Sequence, residues 1–390
     1  IEAYLGKSVS VMAFGKQSGG DQLGVEIAVH SDMQAISFIG SVAGAKKAGV
    51  GISATNITNL DQTLAAIGED SIVKSNADGA GVEVSAYARQ DIANIGVGAA
   101  LATEGAGVTG VLGAVVSLAK TEAKIGDDAE VKSKGDVSVE ATSDITAVSV
   151  SGGVAGGKSA GVGASIAGNV LANVTRAEIG DNAEVSAKNN LAVAAEADEV
   201  AITAVVAGAG GEKAGVAGAL SVNVIVGETL AVVGQGAQLN TDAAYGGTAQ
   251  NVAVTAHDDT VVVGIAGGGA GGGKAGVGAA LDTTVLIKTV KAYVEDDTVA
   301  DGKEATINAD RNVQIEAGAS EVITSVAMGF AGGGNAGVGG AVSVAVNKND
   351  VQAGIGKLGK VDSDGNVLVN AQDDVVAVLT SGAGAGGVGG

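Results

Sequence analysis

Ala160-Gly161-Val162-Gly163-Ala164-Ser165-Ile166-Ala167-Gly168-Asn169-Val170 runs on to Thr175-Arg176-Ala177-Glu178-Ile179-Gly180-Asp181-Asn182-Ala183-Glu184-Val185. The parts of this stretch recur along the whole chain, and self-similarity at a fixed spacing governs any reading of a fold. The motif A-G-V-G begins again at Ala48, Ala275 and Ala336, with looser copies at Ala106 and Ala214. The first glycine of each copy falls at 49, 107, 161, 215, 276 and 337, in steps of 58, 54, 54, 61 and 61. A second marker follows: Ile67-Gly68-Glu69-Asp70, Ile125-Gly126-Asp127-Asp128, Ile179-Gly180-Asp181-Asn182, Val233-Gly234, Val294-Glu295-Asp296-Asp297 and Ile355-Gly356. It keeps the same steps. A third is a short alternating run such as Val137-Ser138-Val139-Glu140-Ala141 or Val313-Gln314-Ile315-Glu316-Ala317, with Val25-Glu26-Ile27-Ala28 as its first copy.

The chain therefore reads as one repeat array of about six and a half units of 54–61 residues, with approximate units 1–48, 49–106, 107–160, 161–214, 215–275, 276–336 and 337–390. Asp242-Ala243-Ala244-Tyr245-Gly246-Gly247 and Asp301-Gly302-Lys303 read as loop insertions between the second and third markers. The array opens and closes inside a unit without an atypical capping repeat. That predicts a segment of a longer repetitive protein, or a subunit capped by its neighbours.

Composition narrows the class. The 390 residues include 66 Gly and seven aromatics, with no Pro, Cys or Trp, and a formal net charge of −21. Ala, Val and Gly must build the core, so its layers must approach closely. An acidic chain does not suit nucleic acid. Without Cys there is neither a disulfide framework nor a thiolate metal site. No apolar stretch of membrane-spanning length is free of interrupting Gly or charge.

Within each unit the alternation has period two, the strand signal. Ala147-Val148-Ser149-Val150-Ser151 and Ser343-Val344-Ala345-Val346-Asn347 both show it. Turn signals separate the runs, and a polar residue, usually Lys, marks the tip of each Gly-rich strand-turn-strand segment, as at Lys158, Lys213 and Lys274. Two all-β architectures fit. One is an elongated parallel β-solenoid with two or three coils of about 18–20 residues per unit, giving rods of roughly 60–100 Å at about 4.8 Å per coil. The other stacks long antiparallel β-hairpins with closely packed Gly faces. The solenoid is preferred, because absent Pro suits continuous ladders.

The run Ala160–Val170 and its continuation to Val185 resembles the repeat region of very large secreted bacterial adhesins, the filamentous-haemagglutinin-like and leukotoxin-family filamentous adhesins. The resemblance spans essentially the whole chain. It implies export, an extracellular or cell-surface location, a β-helical stalk and a role in attachment or biofilm. The expected partners are neighbouring repeats or further copies of the chain, and a host or matrix surface.

Several sharper motifs dissolve on inspection. Gly152-Gly153-Val154-Ala155-Gly156-Gly157-Lys158-Ser159 matches a phosphate-binding loop, which joins a strand to a helix. Here strand residues follow, and other units carry the same Gly-rich turn. Gly267/Gly269/Gly272, Gly332/Gly334/Gly337 and Gly384/Gly386/Gly389 match G-x-G-x-x-G only because Gly is abundant. Asp362-Ser363-Asp364-Gly365-Asn366 lacks the Gly and Glu positions of a calcium loop. It reads as a hairpin turn. The turn acids Asp127, Asp128, Asp181, Asp296 and Asp297 read as solvated, with calcium between coils as the lesser alternative. Of the two His, His30 stands alone, and His257-Asp258-Asp259 reads as a surface turn. Asn56-Ile57-Thr58 and Asn173-Val174-Thr175 are sequons of the commonplace kind. The expectation is a structural protein, not an enzyme, with no catalytic, cofactor-binding or metal residues. A self-assembling matrix fibre joined by strand addition is the alternative, and a β-helix carbohydrate-active enzyme is the least favoured.

Overall fold

A computed structural model describes residues 1–15, 23–246, 250–296 and 304–387. Asp297, Gly247, Asp301-Gly302-Lys303 and Gly389 lie outside them. The described residues form three parallel sheets of seven strands each, and every sheet takes one strand from each turn of the chain. The structure is all-β and solenoid-like. The antiparallel alternative fails, because every strand pairing among the described residues is parallel. One central coil shows the plan: Ala160–Ile179 lies in sheet I, Glu184–Ala187 in sheet II and Leu191–Gly211 in sheet III.

Each repeat is a single coil, not two or three. Ala160 pairs with Ala106 on one side and Ala214 on the other, and Leu191 pairs with Val137 and Val252. The three markers therefore stack on their own copies. Seven layers at about 4.8 Å make this array only about 30 Å tall. Its 20- and 21-residue strands run about 65 Å at roughly 3.3 Å per residue. The segment is broader along its strands than along its axis.

The A-G-V-G motif is explained by the approach of sheets I and III at the tip. Its two glycines face inward and its valine faces outward. A methyl on Gly49 would lie 2.5 Å from the Leu101 carbonyl oxygen, and one on Gly337 would lie 2.6 Å from that of Gly386. No side chain fits there. The cross-section then widens like a wedge. Alanines such as Ala167, Ala207 and Ala217 fill the next zone. Ile92, Ile145, Leu171, Ile225 and Leu286 fill the middle. The broad base, closed by sheet II, holds Ile179, Val185, Leu191 and Val193 and their stacked copies.

The corners have their own chemistry. The second marker ends in a left-handed residue in coil after coil: Asp70, Asp128, Asn182, Gly236 and Leu358, with φ of 54°, 55°, 54°, 64° and 66°. Asp, Asn and Gly tolerate that region best, which is why the turn reads Gly-Asp-Asp or Gly-Asp-Asn. Asp364-Gly365 turns from sheet II to sheet III, so it is a solenoid corner rather than the hairpin expected. At the same corner a ladder of side chains climbs the axis. Asp136 Oδ1 accepts from Asn190 N (2.9 Å), Asn190 Oδ1 from Asn251 Nδ2 (2.9 Å), Asn251 Oδ1 from Asn312 Nδ2 (3.2 Å), and Asn312 Oδ1 from Asn366 N (3.0 Å). The described part of the first insertion folds back over sheet II. Its Asp242 pairs with Lys132 at 2.7 Å, and the Tyr245 hydroxyl is 3.3 Å from Asn76 Oδ1.

Candidate functional site

The motifs weighed in the sequence are placed as follows. Gly152–Gly157 lies in the strand Val137–Gly157, Lys158-Ser159 form the tip, and the strand Ala160–Ile179 follows. A strand follows where a phosphate loop would need a helix. Gly267/Gly269/Gly272 lie in one strand, and Gly332/Gly334/Gly337 straddle a tip. Turn carboxylates cap backbone rather than stand free: Asp127 Oδ1 accepts from Asp181 N at 3.1 Å, Asp181 Oδ1 from Gln235 N at 2.9 Å, and Asp296 Oδ1 from Lys357 N at 2.7 Å. Among the described residues, no three His, Asp or Glu side chains group as a metal site. Nor is any helix there long and apolar enough to cross a membrane. His30 stacks on Tyr87 on the outer face of sheet III, with ring centroids 4.7 Å apart.

His257-Asp258-Asp259 departs from expectation. It lies within the strand Val252–Gly272, not in a turn. His257 and Asp259 face outward, 3.2 Å apart. Asp258 between them points into the core and is fully buried.

There Asp258 meets the most concentrated chemistry in the molecule. Lys288, Glu199 and Asp258 all have completely buried side chains. They arrive from three strands: Glu199 from Leu191–Gly211, Asp258 from Val252–Gly272 and Lys288 from Ala275–Val294. The inward positions in register with them hold mixed side chains in other coils: Ile145, Thr260 and Glu321 at that of Glu199, Ala197, Ala319 and Asp373 at that of Asp258, and Ala119, Asn173 and Gly227 at that of Lys288. Lys288 Nζ donates to Glu199 Oε2 and lies 2.9 and 3.2 Å from Asp258 Oδ1 and Oδ2. Hydroxyls and an amide complete the cluster. Thr260 Oγ1 donates to Glu199 Oε2 at 2.8 Å, Thr229 Oγ1 to Asp258 Oδ2 at 2.8 Å, and Asn173 Nδ2 to Glu199 Oε1 at 3.1 Å.

Two carboxylates share one ammonium here. Burial and then the Asp258 charge raise the Glu199 pKa above the ordinary carboxylate range, against the pull of Lys288. For Lys288, burial opposes the charge, but Glu199 and Asp258 outweigh it and hold its pKa above the ordinary lysine value. Two further carboxylates are turned into the core: Asp282 on the same strand as Lys288, and Glu321 on the strand that pairs with that of Asp258. Asp282 accepts from Ser325, and burial raises its pKa. Glu321 is fully buried with neither oxygen hydrogen-bonded. Its pKa is pushed up to about 8, by burial first and then by the Asp373 charge.

These interior charges were not legible as a site, because polar side chains recur at the same inward positions in other coils: Glu321 stands in register with Glu199 through Thr260, and Asn173 with Lys288 through Gly227.

The outer faces near the tip are apolar. On sheet I, Val50, Val162, Val216, Val277 and Val338 form one outward column, half-exposed along the axis. Leu112, Ile166, Leu281 and Val342 lie in a parallel column. Charge gathers instead toward the base, where Lys124 lies 3.3 Å from Glu178 and Lys291 lies 2.9 Å from Asp350.

No protein-family model, no curated protein and no solved structure matches the chain.

Proposed function

We propose that the chain is a structural segment of an extracellular filamentous adhesin, a stiff stalk or fibre serving attachment or biofilm, and that it carries no catalysis. The observation behind this reading is the constant register, which among the described residues shifts only between Leu23 and Val25. Sheets I and III stack coil on coil with the same pairing, so further repeats add length without new contacts being invented. Backbone ladders along three sheets resist bending and stretching together. Surface carboxylates at the turns keep such a chain in solution. Cryo-electron microscopy of the native material tests it. Filaments with a roughly 4.8 Å axial repeat and a wedge-shaped section about 65 Å across are expected. Discrete single-chain particles in the native material would overturn the stalk.

A second reading, a self-assembling matrix fibre, is favoured by the outward valine and leucine columns on sheet I. A flat apolar face repeated on every coil suits contact with another copy. Sedimentation of the purified chain, alone and as Val162→Lys/Val216→Lys/Val277→Lys, separates the readings. Concentration-dependent assembly lost in the triple variant supports the fibre subunit. A monomer at all concentrations supports the covalent stalk.

A further inference from the structure

We infer that Lys288 and Asp258 join through an intramolecular isopeptide bond, formed by the protein itself with Glu199 as the proton-transferring group.

The geometry is that of a reaction held ready. Nζ of Lys288 lies 2.9 and 3.2 Å from the two oxygens of Asp258, so the carbon between them is the electrophile the nitrogen faces. Reacting groups fixed at such separations react as one molecule, without the entropy of encounter. Glu199 contacts the same nitrogen, and Thr260 Oγ1 touches both carboxylates, at 2.8 Å from Glu199 Oε2 and 3.1 Å from Asp258 Oδ1. A proton can therefore pass from Nζ to Asp258 through Glu199. Its raised pKa suits it to hold that proton in transit.

The step balances within the three side chains. Glu199 relays one proton from the ammonium to an Asp258 oxygen, leaving a neutral amine beside a carboxylic acid. The amine attacks Cγ, and the N–C bond forms. Glu199 relays a second proton from the nitrogen to the same oxygen. The C–O bond breaks, one water leaves, and an amide remains. Glu199 ends as it began. One positive and one negative charge vanish together, so net charge is unchanged and no oxidant or cofactor is required.

The surroundings favour the product. A buried ammonium and carboxylate carry a desolvation penalty that a neutral amide escapes. Asp258 and Lys288 come from the two sheets that face each other across the core, so the bond ties sheet III of one coil to sheet I of the next. This chain has no cysteine, and an amide is a crosslink that needs none.

The test is mass spectrometry of the purified full chain, denatured and desalted. Its intact mass is expected to fall below the sequence mass by one water. After trypsin, residues 214–274 are expected to be joined to residues 275–291, with no cleavage after Lys288. Glu199→Gln and Asp258→Ala are each expected to restore the full mass. Should either variant fail to fold, the wild-type peptide map still decides. Full mass in the wild type overturns the proposal and leaves a buried ion pair. A link from Lys288 to residues 189–213 overturns the assignment by making Glu199 the acyl donor. Water loss confined to Asp78-Gly79, Asp301-Gly302 or Asp364-Gly365 also overturns it, because cyclisation at Asp-Gly gives the same mass.

Discussion

Gly227 and Lys288 are register partners on adjacent strands of sheet I, and the lysine lies across the space that the glycine leaves empty. A methyl on Gly227 would sit 2.5 Å from Lys288 Nζ and 2.8 Å from its Cδ. The glycine is thus what lets Lys288 lean back one coil toward Glu199. Gly227→Val is expected to push the lysine off its carboxylates, to prevent the amide from forming, and to destabilise by about 3–5 kcal/mol, since it leaves buried charges without their partner. Gly218, with open space around it, is the control. Gly218→Ala is expected to be neutral or to stabilise by up to about 1 kcal/mol. Denaturant unfolding of both variants checks the contrast, and equal effects would remove the special role of Gly227.

Leu358 sits where other coils place Asp70, Asp128, Asn182 and Gly236, in the left-handed region at φ 66°. A leucine there carries about 1–2 kcal/mol of steric cost that Asn or Gly largely avoids. Leu358→Asn is expected to raise stability by about 1 kcal/mol, read as a higher denaturant midpoint at unchanged slope. A lower midpoint would mean that the half-exposed leucine side chain contributes more than its backbone strain removes.

The repeat period, the parallel stacking and the tip were legible because they rest on residues that recur in every coil. Gly161 and Gly215 recur because sheets I and III touch there. Asp128 and Asn182 recur because the corner needs a left-handed residue. The number of coils was not legible. Strands usually run to fewer than ten residues, and inward Ser149, Asn169 and Thr203 look like interruptions of a strand. In the fold they bond one another across the narrow core: Ser149 Oγ to Asn169 Oδ1 at 2.6 Å and Thr203 Oγ1 to Asn223 Oδ1 at 2.6 Å. A twenty-residue strand thereby keeps polar groups inside. The same tolerance hid Asp258, which reads as surface beside His257 and Asp259 unless the strand is followed straight through it.

The asparagine ladder is the second signal that spacing alone could have found, since Asp136, Asn190, Asn251, Asn312 and Asn366 each directly precede a third-marker strand. Its middle rung bonds both ways, accepting from Asn312 and donating to Asn190. Asn251→Ala removes these bonds at an exposed corner. A loss of about 1–2 kcal/mol is expected, from net hydrogen-bond values near 1 kcal/mol each. Asn366→Ala, at the outermost rung, is expected to cost less, because only its backbone N–H is held by the ladder. Thermal or denaturant unfolding of the two variants checks the order, and a reversed order would show that the ladder does not share load along the axis.

The interior carboxylates set an unusual dependence on pH. Glu321 titrates near 8 and the partly buried outer-face Asp198 near 6, in each case chiefly through burial. Unfolded, both would titrate near 4. A folded-state pKa above the unfolded one means that the native chain holds the proton longer. The resulting stability is fully present below about pH 4, and it is lost as pH rises through 6 for Asp198 and through 8 for Glu321. Raised Asp282 acts in the same direction. Falling pH also relieves the self-repulsion of a chain at −21. The denaturant midpoint is therefore expected to be higher at pH 5 than at pH 8, opposite to the acid sensitivity of proteins held by surface ion pairs. Glu321→Gln is expected to flatten the part of this slope that lies between pH 6 and 8, since an amide of the same shape has no proton to lose. If the slope is unchanged in that variant, the dependence belongs to general charge repulsion, and the buried Glu321 proton plays no part in it.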